Sequence, residues 1–238
     1  MKKFMAFTLA ETLIVMGVIG IVSALTLPNL NSSTGEKEKV AKVKKIYQNL
    51  NDALGRAEAV YGPFAEWNKS TDGDDVKAKR IGERITEFMK VSKTCGIETG
   101  GTCLTNTKVK FIDGSDGSNI NSTANLYKII TADGTSIVFS KSGNITVDID
   151  GPSKGKFKAG NDYFAFTIDS EKGLIPDGED DTFAQLLTNV TGPGSHCATW
   201  IIRYDNADYL KISSVSGSTA TCTGGTANAL TETNPTCK

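Results

Sequence analysis

The chain has 238 residues and a formal net charge of −1, with 22% charged and 39% apolar side chains. This length suits one good-sized domain or two small ones, and the composition is ordinary for a globular protein. A net charge so close to zero gives no general electrostatic case for binding nucleic acid or an anionic membrane surface, so no specific nucleic-acid partner is predicted.

The N-terminus departs from this average composition, because an apolar run follows a short basic start. Lys2 and Lys3 precede the run, and Glu11 is the only charged residue among the 21 residues from Phe7 to Leu27. A charge at the centre of a membrane helix costs about 2.5–3.5 kcal/mol on insertion scales. Glu11 is therefore expected to have a partner that makes the carboxylate worth keeping.

Small residues within the run are spaced for close helix approach. Gly17, Gly20 and Ala24 repeat at intervals of three and four residues, which places them on one side of a helix. Glycine is also common in membrane helices generally. The spacing therefore fits a helix–helix interface and ordinary membrane-helix composition equally well.

A second helical pattern follows Pro28 and ends at Gly62-Pro63. Together, the run and this pattern predict one helix of about 50 residues, about 75 Å long at 1.5 Å per residue, kinked at Pro28. An apolar stripe on it is expected to pack on a core, with the lysines between its members on a solvated face. The stripe consists of Val40, Val43, Tyr47, Leu50, Leu54 and Ala57, and the lysines are Lys42, Lys44 and Lys45. A further helix is predicted from Val76 to Val91.

The apolar period changes to two from Leu126 onward, which indicates strands. The stretch "NLYKIITADGTSIVFSKSGNITVDIDG" predicts three strands that turn at Asp133-Gly134 and at Ser142-Gly143-Asn144. "DYFAFTID", from Asp162 to Asp169, predicts another strand. "TWIIRYDNADYLKI", from Thr199 to Ile212, predicts a last hairpin that turns at Asp205-Asn206.

The order of these elements, helices first and then an antiparallel meander, places the chain in the α+β class. The tail from Ser213 is rich in Ser, Thr and Gly. It is predicted to be flexible except where cysteines fix it.

Five cysteines occur, and they predict disulfides because the apolar N-terminus indicates export to an oxidising compartment. No CxxC is present and only His196 could join them, which argues against a zinc site. Cys95 and Cys103 are the favoured pair, since the Gly-rich loop "GIETGGT" between them closes easily. Among Cys197, Cys222 and Cys237 one thiol is left over, so the second bond is either Cys222–Cys237 or Cys197 with one of these.

Sequence motifs of common enzymes are missing from the chain. It contains no GxSxG, HExxH or P-loop pattern. His196 is the only histidine, and it precedes Cys197 just before a predicted strand, where neighbouring side chains point to opposite faces. A Cys–His dyad is therefore not expected, and the chain is not predicted to be an enzyme.

The stretch "AFTLAETLIVMGVIG", from Ala6 to Gly20, resembles the cleavage and methylation signal of type IV pilins and type II secretion pseudopilins. The resemblance implies that a prepilin peptidase removes residues 1–6 as a leader by cutting between Ala6 and Phe7. The new amine of Phe7 would then be methylated, and Glu11 would be the fifth residue of the mature chain. Ala6 departs from the commoner glycine, whereas the Phe-Thr-Leu-x-Glu core is intact. The match is confined to the N-terminal run.

The resemblance also implies an architecture and a set of partners. Residues 7–30 would form a transmembrane and assembly helix in which Glu11, Gly17, Gly20 and Pro28 serve assembly. Residues 31–238 would form a pilin-like globular domain on the periplasmic side of the bacterial inner membrane. Other copies of the chain or related pilins, together with inner-membrane assembly machinery, would build it into a pilus or pseudopilus at the cell surface.

Two acidic segments raise the question of bound calcium. "DGSDGSN", from Asp113 to Asn119, lacks the bidentate glutamate of a calcium loop. "IPDGEDD" loosely resembles the Asp-rich loop by which major pseudopilins hold calcium, which makes Asp177, Asp180 and Asp181 candidate ligands. The alternative is a solvated acidic turn, which is common around Asp-Gly. No other cofactor is predicted.

An ordinary secretory signal is the alternative explanation of the N-terminus. Val22-Ser23-Ala24 satisfies the small-residue pattern for signal peptidase, which would leave Leu25 as the first residue. The protein would then be a monomeric exported or periplasmic protein. The residue found at the mature N-terminus distinguishes the two hypotheses.

Overall fold

The computed structural model describes residues 9–154, 157–223 and 229–237, with no description of side chains at residues 23–34. The chain forms two compact units, Met1–Glu38 and Lys39–Lys238. The second unit contains the sheet, the core and all elements after the first helix.

Helix α1, Leu9–Tyr61, is the longest element, and its backbone is helical through Pro28. The predicted stripe is present: five of its six members are buried, and Tyr47 is half-buried and donates to the Leu174 carbonyl at 3.1 Å. Ile46 and Ala53 extend the stripe. Gly62 ends the helix with φ +81°, a conformation that favours glycine because it has no Cβ.

The lysines between the members of the stripe lie on an accessible face, as predicted, with 37–59% of each side chain exposed. Each pairs with an aspartate at the end of a strand, a turn or a helix. The three pairs are Lys42–Asp150 at 3.6 Å, Lys44–Asp205 at 2.5 Å and Lys45–Asp133 at 2.8 Å.

A six-stranded antiparallel sheet forms the centre of the second unit, with its strands in chain order. The structure confirms the three predicted strands after Leu126 and the predicted strand that ends at Asp169. Gly134 and Gly143 have positive φ in the turns. Helix α2, Asp74–Thr86, is shorter than predicted, and Val91 begins the first strand instead. The strands are β1 Val91–Gly96, β2 Tyr127–Thr131, β3 Ser136–Phe139, β4 Asn144–Asp148, β5 Tyr163–Asp169 and β6 Gly173–Pro176.

The main core lies between the α1 stripe and one face of this sheet. Alternate residues of the central strands point into this core from the sheet. The same cluster of buried apolar residues extends to α2 and to the helices after β6. Its fully buried sheet members include Ile129, Ile137, Phe139, Val147 and Phe164. The observed class is therefore α+β, with a helix packed on an antiparallel sheet.

The segment after β6 differs from the prediction. The prediction of a hairpin from Thr199 to Ile212 is wrong, because the first half of this segment belongs to helix α4, Cys197–Tyr204. Asp205 ends this helix at φ 56°, so the expected turn residue acts as a helix terminator. Helix α3, Phe183–Thr191, precedes α4 and begins with a capping box formed by Thr182 and Gln185.

The C-terminal tail also has more structure than predicted. Strands β7, Ile212–Ser216, and β8, Thr219–Cys222, form an antiparallel hairpin, and Leu230 bridges to Ala220. Disulfides join Cys95 to Cys103, the favoured pair, and Cys222 to Cys237, one of the two alternatives for the late cysteines. Cys197 is the free thiol and is buried.

Candidate functional site

The first turns of α1 carry an apolar surface on every side of the helix. Successive residues are rotated by about 100°, so apolar residues at nearly every position from 13 to 22 leave no polar face. These large side chains are all more than half exposed: Leu9, Leu13, Ile14, Val15, Met16, Val18, Ile19, Ile21 and Val22. A helix that is apolar all round suits burial in lipid or among other helices.

Glu11 lies in the first turn of α1 with its side chain exposed. The neighbouring Thr12 hydroxyl donates to the Leu9 carbonyl at 2.8 Å. The predicted cleavage and methylation site at Ala6 and Phe7 lies outside the described residues.

Gly17 and Gly20 leave open space along the helix surface. A Cβ built at either glycine would meet no atom within 4 Å. A neighbouring helix could therefore approach the backbone closely at both positions. The side chains of Ala24 and Pro28, the other predicted interface residues, lie outside the described residues.

The three candidate calcium ligands lie together after β6, but each has its own partner within the protein. Asp177 accepts from the Thr167 hydroxyl at 2.7 Å, and burial raises the pKa of this carboxyl. Both oxygens of Asp180 accept from the Lys172 ammonium at 2.7 Å. Asp181 pairs with His196 Nδ1 at 2.7 Å.

Backbone carbonyls of the same loop are held by α4. The Thr199 hydroxyl donates to the Asp177 carbonyl at 2.7 Å. The Arg203 guanidinium donates to the carbonyls of Glu179 at 2.6 Å and Asp181 at 3.1 Å. These donors were not predicted, because the segment has the composition of a strand. The intervals of three and four from His196 to Thr199 to Arg203 indicate one helix face.

This arrangement does not fit a shared calcium ion. Calcium takes about six to eight oxygen ligands, whereas the three carboxylates are directed to a hydroxyl, an ammonium and an imidazole. Over the described ranges, no group of three or more His, Cys, Asp or Glu side chains is placed to hold a metal ion. In the other acidic segment, Asp113 accepts from Ser115 and Asp116 pairs with Lys110.

His196 and Cys197 have separate environments. The Cys197 thiol is fully buried, and burial raises its pKa, which disfavours the nucleophilic thiolate. The His196 ring instead contacts Asp181. Their side chains are separated by the geometry of a helix start. The sequence had predicted separation on opposite faces of a strand.

Comparisons with protein-family models, with curated proteins and with solved structures found no match. In the part of the chain that the structure describes, no helix reaches the combination of length and apolar character needed to cross a membrane.

Proposed function

We propose that this chain is a structural subunit of a type IV pilus or a type II secretion pseudopilus, anchored in the bacterial inner membrane and polymerised through α1. One observation carries the proposal. An intact Phe-Thr-Leu-x-Glu signal leads directly into an apolar helix, and the same helix continues into the stripe that packs on the antiparallel sheet.

The exposed apolar surface of residues 9–22 supports this role. Burying a large aliphatic side chain is worth about 1.5–3 kcal/mol, so exposure of nine such side chains to water is strongly unfavourable. The apolar run from Phe7 to Leu27, whose first two residues lie outside the described part of the chain, would span about 32 Å if it were helical throughout, close to the bilayer core of about 30 Å. Lipid would cover this surface before assembly, and neighbouring helices would cover it in the filament.

Glu11 supplies specificity to this assembly. An α-amine has an ordinary pKa of about 7.7–8.0 and is mostly cationic at neutral pH, and methylation keeps the charge. The Phe7 ammonium of one subunit would pair with Glu11 of its neighbour, and this attraction must offset the desolvation of both groups. The pair forms only between cleaved subunits in the correct axial register.

The proposal assigns partners by chemistry. A prepilin peptidase would cut after Ala6, and inner-membrane machinery would extract the subunit into a growing filament of identical or related chains. The unit Lys39–Lys238 would lie on the periplasmic side and then on the filament surface.

Mass spectrometry of the N-terminus of membrane-extracted protein tests the proposal. The mature chain should begin at methylated Phe7, with 24 basic and 27 acidic side chains and a formal net charge of −3 after Lys2 and Lys3 are removed. In cells that lack prepilin peptidase the leader should remain. An N-terminus at Leu25 in both backgrounds would instead establish an ordinary secretory signal and overturn the proposal.

A further inference from the structure

We infer that side chains of helix α4 take the place of a bound cation beside the acidic loop from Asp177 to Asp181. Arg203 is the central residue of this contact, which holds the loop in one conformation. Four of the five residues in this loop are acidic. Like charges so close together repel one another, and a loop of this kind needs positive charge nearby to keep one conformation. The chain itself provides that charge.

Arg203 contacts the loop at carbonyl oxygens, which are also among the groups that bind calcium in proteins. Its two terminal nitrogens donate to two different carbonyls, those of Glu179 and Asp181. A guanidinium presents its donors in a rigid planar fork and stays charged at every relevant pH. It therefore fixes the spacing of the two peptide groups and places a positive charge at the backbone of the acidic loop.

Two further side chains of α4 complete the contact. His196 and Thr199 lie seven and four positions before Arg203, so all three project from the same side of the helix. His196 meets the Asp181 carboxylate and Thr199 meets the Asp177 carbonyl. On its other side α4 is anchored in the core by Trp200 and Ile201, which are fully buried. The donors are thus held by a fixed element.

The loop backbone comes close to the His196 side chain of α4 at Gly178. Gly178 has φ +81°, and a Cβ at this position would overlap the His196 ring. A residue with a side chain would have to displace the histidine or change the loop conformation. Lys172 balances the remaining carboxylate, Asp180, from the turn between β5 and β6.

The loop should therefore keep its conformation without any divalent cation. This inference concerns the second unit alone and does not depend on filament assembly, so it can fail while the proposed function holds. Arg203 is a positioning residue, because it acts on the loop backbone.

The test compares full-length protein, purified in detergent, with Arg203→Met and with Arg56→Met as a matched control. Arg56 is exposed on α1 and pairs with Asp52 in the same helix at 3.6 Å. The readouts are the thermal unfolding midpoint in chelator and in excess calcium, and the rate at which a glutamate-specific protease cuts after Glu179. The native protein should show the same midpoint and slow cleavage in both solutions.

Arg203→Met should increase the cleavage rate at Glu179 about tenfold or more, the change expected when a charge-assisted hydrogen bond is lost. Arg56→Met should leave that rate unchanged. If Arg203→Met does not fold, Arg203→Lys, which keeps the charge and loses the fork, should give an intermediate rate. Calcium that raises the midpoint of the native protein, or that slows its cleavage at Glu179, would overturn the inference. So would equal cleavage rates in the native protein and the Arg203 variant tested.

Discussion

Asp148 ends strand β4 with its side chain fully buried. Its Oδ1 accepts from the backbone amides of Asp150 at 3.2 Å and Gly151 at 3.1 Å, whereas Oδ2 has no hydrogen-bond partner among the described residues. Burial, reinforced by the charges of Asp162 and Asp150, raises the pKa of Asp148 to about 6. Lys42 pairs with Asp150 and Lys39 donates to Asn161, which places two cations of α1 beside this cluster.

A raised pKa makes Asp148 a source of pH-dependent stability. The folded protein binds a proton here as the pH falls through about 6, whereas the unfolded chain does so only near its ordinary pKa of about 3.9. This contribution to stability is therefore complete below about pH 4 and is lost as the pH rises through about 6.

Asp148→Asn should remove this penalty at neutral and higher pH. We expect the free energy of unfolding at pH 8 to rise by about 1–3 kcal/mol relative to the parent, with a smaller difference at pH 5. Urea denaturation at both pH values measures the effect. Asp52→Asn, at a surface position of α1, serves as the control and should shift neither value. A gain that is the same at pH 5 and pH 8 would contradict the assigned protonation.

Lys128 shows why some residues could not be predicted from local pattern. It occupies a strand position that alternation assigns to a wet face, yet its side chain is fully buried. Its ammonium donates to the carbonyls of Glu98 and Asn121, both at 2.8 Å, and burial lowers its pKa. The long segment between β1 and β2 covers this face and forms a second small core with Val138 and Phe157. The alternation of residues within β2 does not indicate that another segment covers this face.

At the scale of elements, those whose local pattern agrees with the fold were predictable, and one whose state depends on packing was not. The α1 stripe and the strands β2 to β5 follow from periodicity because each repeats over several turns or residues. Helix α4 has only eight residues, and its aromatic and β-branched side chains favour strands locally. Its helical state depends on packing, with the Trp200 ring against Phe183, Tyr204 and Tyr209.

The packing of α1 on the sheet is testable with two adjacent residues. Leu50 is fully buried in the main core, whereas the next residue, Asn51, is exposed. Leu50→Ala should lower the free energy of unfolding by about 2–5 kcal/mol, because it removes apolar contacts and leaves a cavity.

Asn51→Ala is the matched control and should change stability by less than about 0.5 kcal/mol. Urea denaturation of both variants gives the comparison. Equal effects at the two positions would mean that α1 does not dock on the sheet through this stripe.

At the scale of the whole molecule, the two candidate sites differ in how the sequence encodes them. The proposed assembly signal is local, because Ala6, Phe7 and Glu11 lie within six consecutive residues. The contact around the acidic loop combines residues from the β5–β6 turn and from α4, up to about thirty positions apart, so it exists only once the chain folds. Sequence alone therefore suggested the first site. For the second it suggested either calcium ligands or a solvated acidic turn, and it did not predict the contact with α4.

The function we propose makes Glu11 a residue of the assembled filament. Its carboxylate lies in an otherwise apolar run, where it is unfavourable in lipid. In a bundle of the apolar N-terminal segments of several subunits, it would pair with the Phe7 ammonium of a neighbouring subunit. Membrane insertion and assembly therefore make opposite demands on this position, and substitutions at Glu11 should separate the two processes.

Glu11→Val should insert into the membrane at least as well as the parent, because a charge leaves the apolar run. Cleavage after Ala6 should continue, since the leader is unchanged. Assembly should fail, because the ammonium would be buried without its counter-charge at a cost of about 3–5 kcal/mol. Glu11→Gln, which keeps hydrogen bonding and loses the charge, should assemble poorly or at an intermediate level. Quantifying membrane monomer and sheared filaments, with each variant as the only copy in the cell, measures both steps; normal filaments of Glu11→Val would refute the pairing of Glu11 with Phe7.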